Sequence, residues 1–176
     1  LSSSSAASDV YKRQEPTSPL LLSRATNLFK LFASDVGLLA SMYSDGLQLR
    51  ILKGEKDINF GSVYENVVAQ ELQTHGFELY YYNSKKQGEL DFLIEQSGVV
   101  LPIEVKSGKG YTRHAALNNV LSTGNYAIPQ GIVLCNENVQ VVENIVYYPI
   151  YMVMFLQKEE EQEEMIYKPD FSALQE

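Results

Sequence analysis

Asp91, Glu104 and Lys106 fall within one stretch, GELDFLIEQSGVVLPIEVKSG, from Gly88 to Gly108. Two carboxylates with room for water form an oxygen-only donor pair, which suits a hard divalent cation such as Mg²⁺ or Mn²⁺. A lysine ammonium beside them can meet a phosphate or a metal-bound water. Two acids and a lysine on a hairpin edge are a set that metal-assisted phosphodiester hydrolysis can use. The plainer alternative is a solvent-facing hairpin whose charges are simply hydrated, with Lys106 paired to Glu104 or Glu89.

The pattern of the stretch predicts how those residues are positioned. Leu90, Phe92 and Ile94 alternate with Glu89, Asp91 and Leu93, and Leu101, Ile103 and Val105 alternate with Pro102, Glu104 and Lys106. Period two marks half-buried strands, and Ser97-Gly98 suits a two-residue hairpin turn. That turn sets Asp91 opposite Glu104 and Glu89 opposite Lys106. All four are expected on one face, away from Leu90, Phe92, Ile103 and Val105. Two carboxylates facing each other at about 5 Å repel by about 3 kcal/mol at an effective dielectric of about 20, before solvent screening. A proton on one carboxyl, a cation between them or a different register would relieve the pair.

Asp91, twelve intervening residues and then Glu104-Val105-Lys106 in an apolar strand resemble the PD-(D/E)XK, restriction-endonuclease-like superfamily. The blocks FKLFASDVGLLASM (Phe29–Met42), YENVVAQEL (Tyr64–Leu72), ELDFLIE and PIEVKSG, in this order, resemble more closely the C-terminal domain of unknown function of prokaryotic AAA-type ATPases. The resemblance covers roughly Pro19 to Leu156. It implies an α/β fold with a restriction-endonuclease-like αβββαβ core, a mixed central sheet flanked by helices, and an accessory N-terminal strand and helix. The domains expected are a leader and linker (1–18), the accessory segment (19–60), the nuclease-like core (61–156) and an acidic tail (157–176).

Gly61 to Gly76 predicts a helix, with Tyr64, Val67, Val68 and Leu72 as its apolar stripe and Gly76 ending it. Ser62 is placed as N-cap and Glu65 at N3, a capping box that by itself accounts for the glutamate. In PD-(D/E)XK enzymes a glutamate on the helix before the sheet often joins the metal site, and Glu65 matches that position in the family block. Both roles stand open. The resemblance thus implies a divalent-metal site of Glu65, Asp91 and Glu104, with Asp91, Glu104 and Lys106 catalytic, Mg²⁺ or Mn²⁺ as cofactor and nucleic acid as substrate. The alternative is a catalytically silent binding or regulatory module of the ATPase. It draws on charge: the core offers only Lys85, Lys86, Lys106, Lys109 and Arg113 against nine acids.

The chain has 176 residues, 45% of them hydrophobic, enough for a real core. Its formal net charge of -8 argues against passive adhesion to nucleic acid or anionic lipid. From Gln157 onward seven acids face two lysines. Cys135 is the only cysteine and lies in an apolar run, so it is expected as a buried thiol in a cytoplasmic protein. No GxxxxGK[ST] phosphate loop occurs, so no ATP hydrolysis is expected from this chain, and the ATPase domain that the resemblance implies is expected upstream. Leu1 to Gln14 is Ser/Ala-rich, lacks apolar periodicity, resembles translated sequencing-adapter sequence, and is expected to lie outside the fold.

The remaining elements follow from local pattern. Asn27 to Ala33 reads as a strand in which Leu28, Lys30 and Phe32 share one face. Ser34-Asp35 starts a helix through about Tyr43, with Asp35 as N-cap. Gln48 to Asn59 reads as a polar connection. Glu78 to Ser84 is the first core strand; its three tyrosines could stack bases, but core packing is the simpler account. Thr112 to Ser122 reads as a helix with Arg113 and His114 on an exposed first turn. Gly131 to Cys135 is a buried strand. Ile145 to Leu156 is too short for a membrane span and is expected to close the fold as a short helix.

Overall fold

In the computed structural model, residues 8–13, 16–20, 29–43, 46–55, 58 and 60–158 are described, the first six as backbone only. They form a mixed eight-stranded sheet flanked by helices, an α/β fold. The strands are β1 (Ser8–Arg13), β2 (Phe29–Ala33), β3 (Tyr80–Ser84), β4 (Gly88–Gln96), β5 (Val99–Val105), β6 (Gly131–Cys135), β7 (Gln140–Val142) and β8 (Ile145–Pro149), in the spatial order β2-β1-β3-β4-β5-β6-β8-β7. The helices are α1 (Val36–Met42), α2 (Leu47–Leu52), α3 (Gly61–Thr74) and α4 (Ala115–Leu121). From α3 to β6 the order is the αβββαβ that the sequence pattern predicts.

Two apolar layers hold the sheet. On one side, Val68, Ala69 and Leu72 of α3 pack with Phe92, Ile94, Leu101, Ile103, Val105, Ile132 and Leu134. The other layer joins Leu117 and Val120 of α4 to Tyr82, Leu90, Leu93, Val133, Cys135 and Tyr147. The approach of α4 is close: a Cβ added at Gly131 would meet Leu117 Cδ1 at 2.6 Å, so a side chain there would force the buried Leu117 side chain to shift. Gly76, at φ +80°, ends α3 in a Schellman turn, with Phe77 N–H donating to Leu72 O at 3.1 Å and Gly76 N–H to Gln73 O at 2.9 Å.

The accessory elements are tied down by α3. Asn66, buried in the interior, accepts from Ala33 N–H at 2.8 Å and donates to Ala33 O at 3.0 Å. One turn later Gln70 Oε1 accepts from Val36 N–H at 3.0 Å. Asp35 caps α1 as expected, accepting from Leu38 N–H at 2.6 Å.

Several expectations need correction. Residues 8–13 of the stretch set outside the fold make β1, paired antiparallel to β2 and parallel to β3, because a free backbone edge on β3 can take any extended segment. The polar connection after Gly46 holds the short helix α2, whose run Leu47 to Leu52 has helix-compatible residues and a left-handed glycine before it. The run expected as a closing helix is split. Ile145–Pro149 is β8, paired with β6 and β7, and only Ile150–Phe155 turns as a 3₁₀ helix. Pro149 ends the strand because it lacks the N–H a further ladder bond needs. The acidic tail from 159 onward lies outside the described residues.

Candidate functional site

The β4–β5 hairpin carries the site and has the expected register. Gln96 pairs with Val99 and Phe92 with Ile103 around Ser97-Gly98, and the regular pairing ends there, short of the expected Asp91–Glu104 and Glu89–Lys106 pairs. The other side of β4 departs from the simple pattern. Tyr80 pairs with Leu93 but Tyr82 pairs with Leu90, so Asp91 and Phe92 together face the single residue Tyr81. This is a β-bulge, a device that redirects a side chain. It corrects the expectation that Leu90 and Phe92 share a face: Leu90 packs in the α4 layer and Phe92 in the α3 layer.

The bulge leaves Asp91 at the end of the ladder, where its Oδ2 accepts from Val105 N–H at 2.8 Å. Burial pushes the Asp91 carboxyl up; the Val105 bond and the charges of Lys30 and Lys106 only partly offset this. Glu104 is 6% exposed. Its Oε1 accepts from Lys106 Nζ at 2.5 Å, while its Oε2 is buried with no hydrogen-bond partner. Desolvation, then the charge of Asp91, raise Glu104 to about 7, against the pull of Lys106 and Lys30. The hydrated-hairpin reading therefore fails in its burial and holds in one contact, the pairing of Lys106 with Glu104.

Glu65 stands on α3, its carboxyl raised by burial and then by the charge of Asp91, and lowered in part by Lys30 and Lys106. Those influences place it in the electrostatic neighbourhood of the hairpin acids. The capping box does not form. Helix α3 begins at Gly61 after Phe60, so Ser62 lies inside its first turn, and Ser62 Oγ bonds Tyr43 OH at 2.9 Å. The contact of Phe60 with Tyr64, ring centroids 5.6 Å apart, anchors this start one turn across the helix. Capping therefore does not explain Glu65.

Lys30 of β2 was not among the candidate residues. Its Nζ lies 2.5 Å from Glu89 Oε1, 3.8 Å from Asp91 Oδ1 and 5.4 Å from the centre of the Tyr81 ring. Burial works against its charge, but the Glu89 bond and the fields of Asp91, Glu89 and Glu65 prevail and raise its pKa. The signal was a lysine alternating in phase with Phe32, which packs on Phe92 with ring centroids 5.5 Å apart.

Other candidates fall away. Tyr80, Tyr81 and Tyr82 are buried, which leaves no faces for bases. His114 is buried rather than exposed, because α4 starts at Ala115 and the imidazole turns inward. There its Nε2 meets Tyr147 OH at 2.6 Å and its Nδ1 meets Asn118 Oδ1 at 3.1 Å. Among the described residues no group of three or more His, Cys, Asp or Glu side chains is gathered closely enough to hold a metal ion. The structure thus brings Asp91, Glu104 and Lys106 together and keeps Glu65 in their field without joining it to them.

Residues 60–153 match the family model described as Domain of unknown function (DUF4143). The chain belongs to this family. The matched part of the DUF4143 domain runs from the start of α3 into the final 3₁₀ helix and contains Glu65, Asp91, Glu104 and Lys106, but not Lys30. No curated protein and no solved structure matches the chain. Among the described residues no helix is long and apolar enough to cross a membrane.

Proposed function

We propose that this DUF4143 domain is a divalent-metal-dependent, nuclease-like phosphodiesterase of the PD-(D/E)XK type, normally C-terminal to an AAA-type ATPase domain. The observation that carries the reading is the buried, unpartnered Glu104 Oε2 beside the ladder-end carboxylate of Asp91. A buried carboxylate oxygen with no donor is costly unless a proton or a cation meets it. Hard oxygen donors suit Mg²⁺ or Mn²⁺. Asp91 and Glu104 would hold the ion, with Glu65 within its field, and a bound ion would offset the repulsion of the acids and polarise a phosphate oxygen.

The chain's own residues supply the rest. Val105 N–H fixes one oxygen of Asp91, so the other is presented in a set direction. Lys106 donates one hydrogen bond to Glu104 and has further N–H groups for a phosphate oxygen or the attacking water, where its charge steadies the negative charge that grows in the transition state. Lys85 and Lys86 precede β4 and Lys109 and Arg113 follow β5, all exposed and all at the end of the hairpin away from Ser97-Gly98. They offer a phosphate backbone its electrostatic contacts in a chain that is acidic overall.

A second reading has its own support. Lys106 and Lys30 already hold Glu104, Asp91 and Glu89 in ion pairs without any metal. On that reading the cluster is a structural charge network, and the domain is a silent binding or regulatory module of the ATPase. Incubating the protein with single- and double-stranded DNA and RNA, with Mg²⁺, with Mn²⁺ and with chelator, separates the two. Metal-dependent cleavage that disappears in Glu104→Gln supports the nuclease-like reading. Intact substrates in every arm favour the module.

A further inference from the structure

We propose that Lys30 is a tethered counter-cation for the acid cluster, held in place from the accessory strand, and that a divalent cation must compete with it. The inference rests on the reading of Asp91 and Glu104 as a cation site. It goes beyond it in assigning a positioning role to a residue outside the matched family segment.

The geometry is specific. Lys30 Nζ makes a 2.5 Å contact with Glu89 and lies 3.8 Å from Asp91. The Tyr81 ring beneath it, at 5.4 Å, is the residue that the Asp91–Phe92 bulge faces. Its neighbours on β2 are fixed: Phe32 packs on Phe92, and Ala33 is clamped through its backbone by Asn66, next to Glu65 on α3. The ammonium is therefore delivered to the cluster by packing. An exposed ion pair assembled by chance lacks this support. Four acids, Glu65, Glu89, Asp91 and Glu104, lie within the field of this one lysine. Removing the charge leaves them mutually repelling, and a divalent cation then gains where a monovalent one was lost.

The test compares wild type with Lys30→Met, which keeps most of the aliphatic stem, with Lys30→Arg, and with Lys30→Met placed in a Glu89→Gln/Asp91→Asn background. In chelator, Lys30→Met should lower the melting temperature. It should do so much less in the neutralised background, where the two acids that Lys30 Nζ approaches carry no charge. Titrated with Mn²⁺, Lys30→Met should bind about fivefold tighter than wild type or more, and Lys30→Arg should bind as wild type does. An equal loss of stability in both backgrounds makes Lys30 a packing residue and overturns the proposal. Unchanged or weaker Mn²⁺ binding in Lys30→Met, in a wild type that does bind, overturns the competition while leaving the cation site intact. No Mn²⁺ binding by wild type or Lys30→Met overturns the site itself and the competition with it. If Lys30→Met fails to fold alone, the neutralised variant must fold; its failure also overturns the proposal.

Discussion

Asp91 Oδ2 accepts from the Val105 backbone N–H at 2.8 Å, just beyond the last regular pair of the β4–β5 ladder, Phe92 with Ile103. A side-chain carboxylate here does the work of a backbone carbonyl. The aspartate therefore has a structural duty as well as a chemical one, and substitutions should separate them.

Asp91→Asn keeps a side-chain carbonyl for Val105 and removes the charge facing Glu104. Its melting temperature in chelator should stay close to that of wild type, since relief from Glu104 and loss of Lys30 act in opposite directions. Asp91→Ala leaves the Val105 N–H without a partner and should cost about 1–3 kcal/mol. Denaturant unfolding of both variants checks the order. An Asn variant as unstable as the Ala variant would mean that the charge, rather than the acceptor, holds the hairpin end.

The pH dependence follows from Glu104, whose ordinary value of 4.5 rises to about 7 in the fold. Over that interval the folded chain binds more protons than the unfolded one, so stability falls as pH rises. Asp91 and Glu65 are also raised and act with the same sign. The contribution is fully present below the ordinary values and is lost as pH passes through about 7. Melting in chelator should show this decline, and Glu104→Gln should flatten most of it. A wild-type melting temperature that climbs across that interval would contradict the burial of Glu104.

Lys106→Met removes the donor to Glu104 Oε1 and leaves both acids. Mn²⁺ affinity should hold or rise slightly, because a nearby cation has gone. Any metal-dependent cleavage should drop by roughly two orders of magnitude or more. Single-turnover rates at saturating Mn²⁺ check this, and an unchanged rate would reduce Lys106 to the partner of Glu104.

Glu65→Gln tests the residue left over once the capping box is excluded. The cap of α3 does not use this side chain, so helix content by circular dichroism should be unchanged in Glu65→Gln and in Glu65→Ala alike. Both should weaken Mn²⁺ binding modestly by removing a charge from the neighbourhood of Asp91. A loss of helix in the Ala variant alone would restore the capping role.

The legible part of this chain was local. The Ser97-Gly98 turn and period-two alternation predict the hairpin register from Gln96–Val99 to Phe92–Ile103, and Asp35 and Gly76 mark helix ends because their preferences act within a few residues. The elements that went unread depend on distant partners. The bulge at Asp91 exists because β4 must satisfy β3 and β5 at once, and alternation along β4 alone does not carry that conflict. Strand β8 is made by β6 and β7 on either side of it. Ser62 lost the cap position to a start set by Phe60 and to a bond with Tyr43, nineteen positions earlier in the chain. Of the candidate site, Asp91, Glu104 and Lys106 were readable from spacing. Lys30 was not, since it meets Asp91 only after the sheet is assembled.

Asp91 and Glu104 are the pair proposed to hold a divalent cation. The most direct measurement is calorimetric titration of wild type and Glu104→Gln with Mn²⁺ at a pH of about 7, repeated in two buffers of different ionisation enthalpy. Burial and the charge of Asp91 hold part of Glu104 protonated there, so binding should release protons from wild type, and Glu104→Gln should bind far more weakly with a smaller release. No binding heat from wild type, or equal binding by Glu104→Gln, would contradict the account.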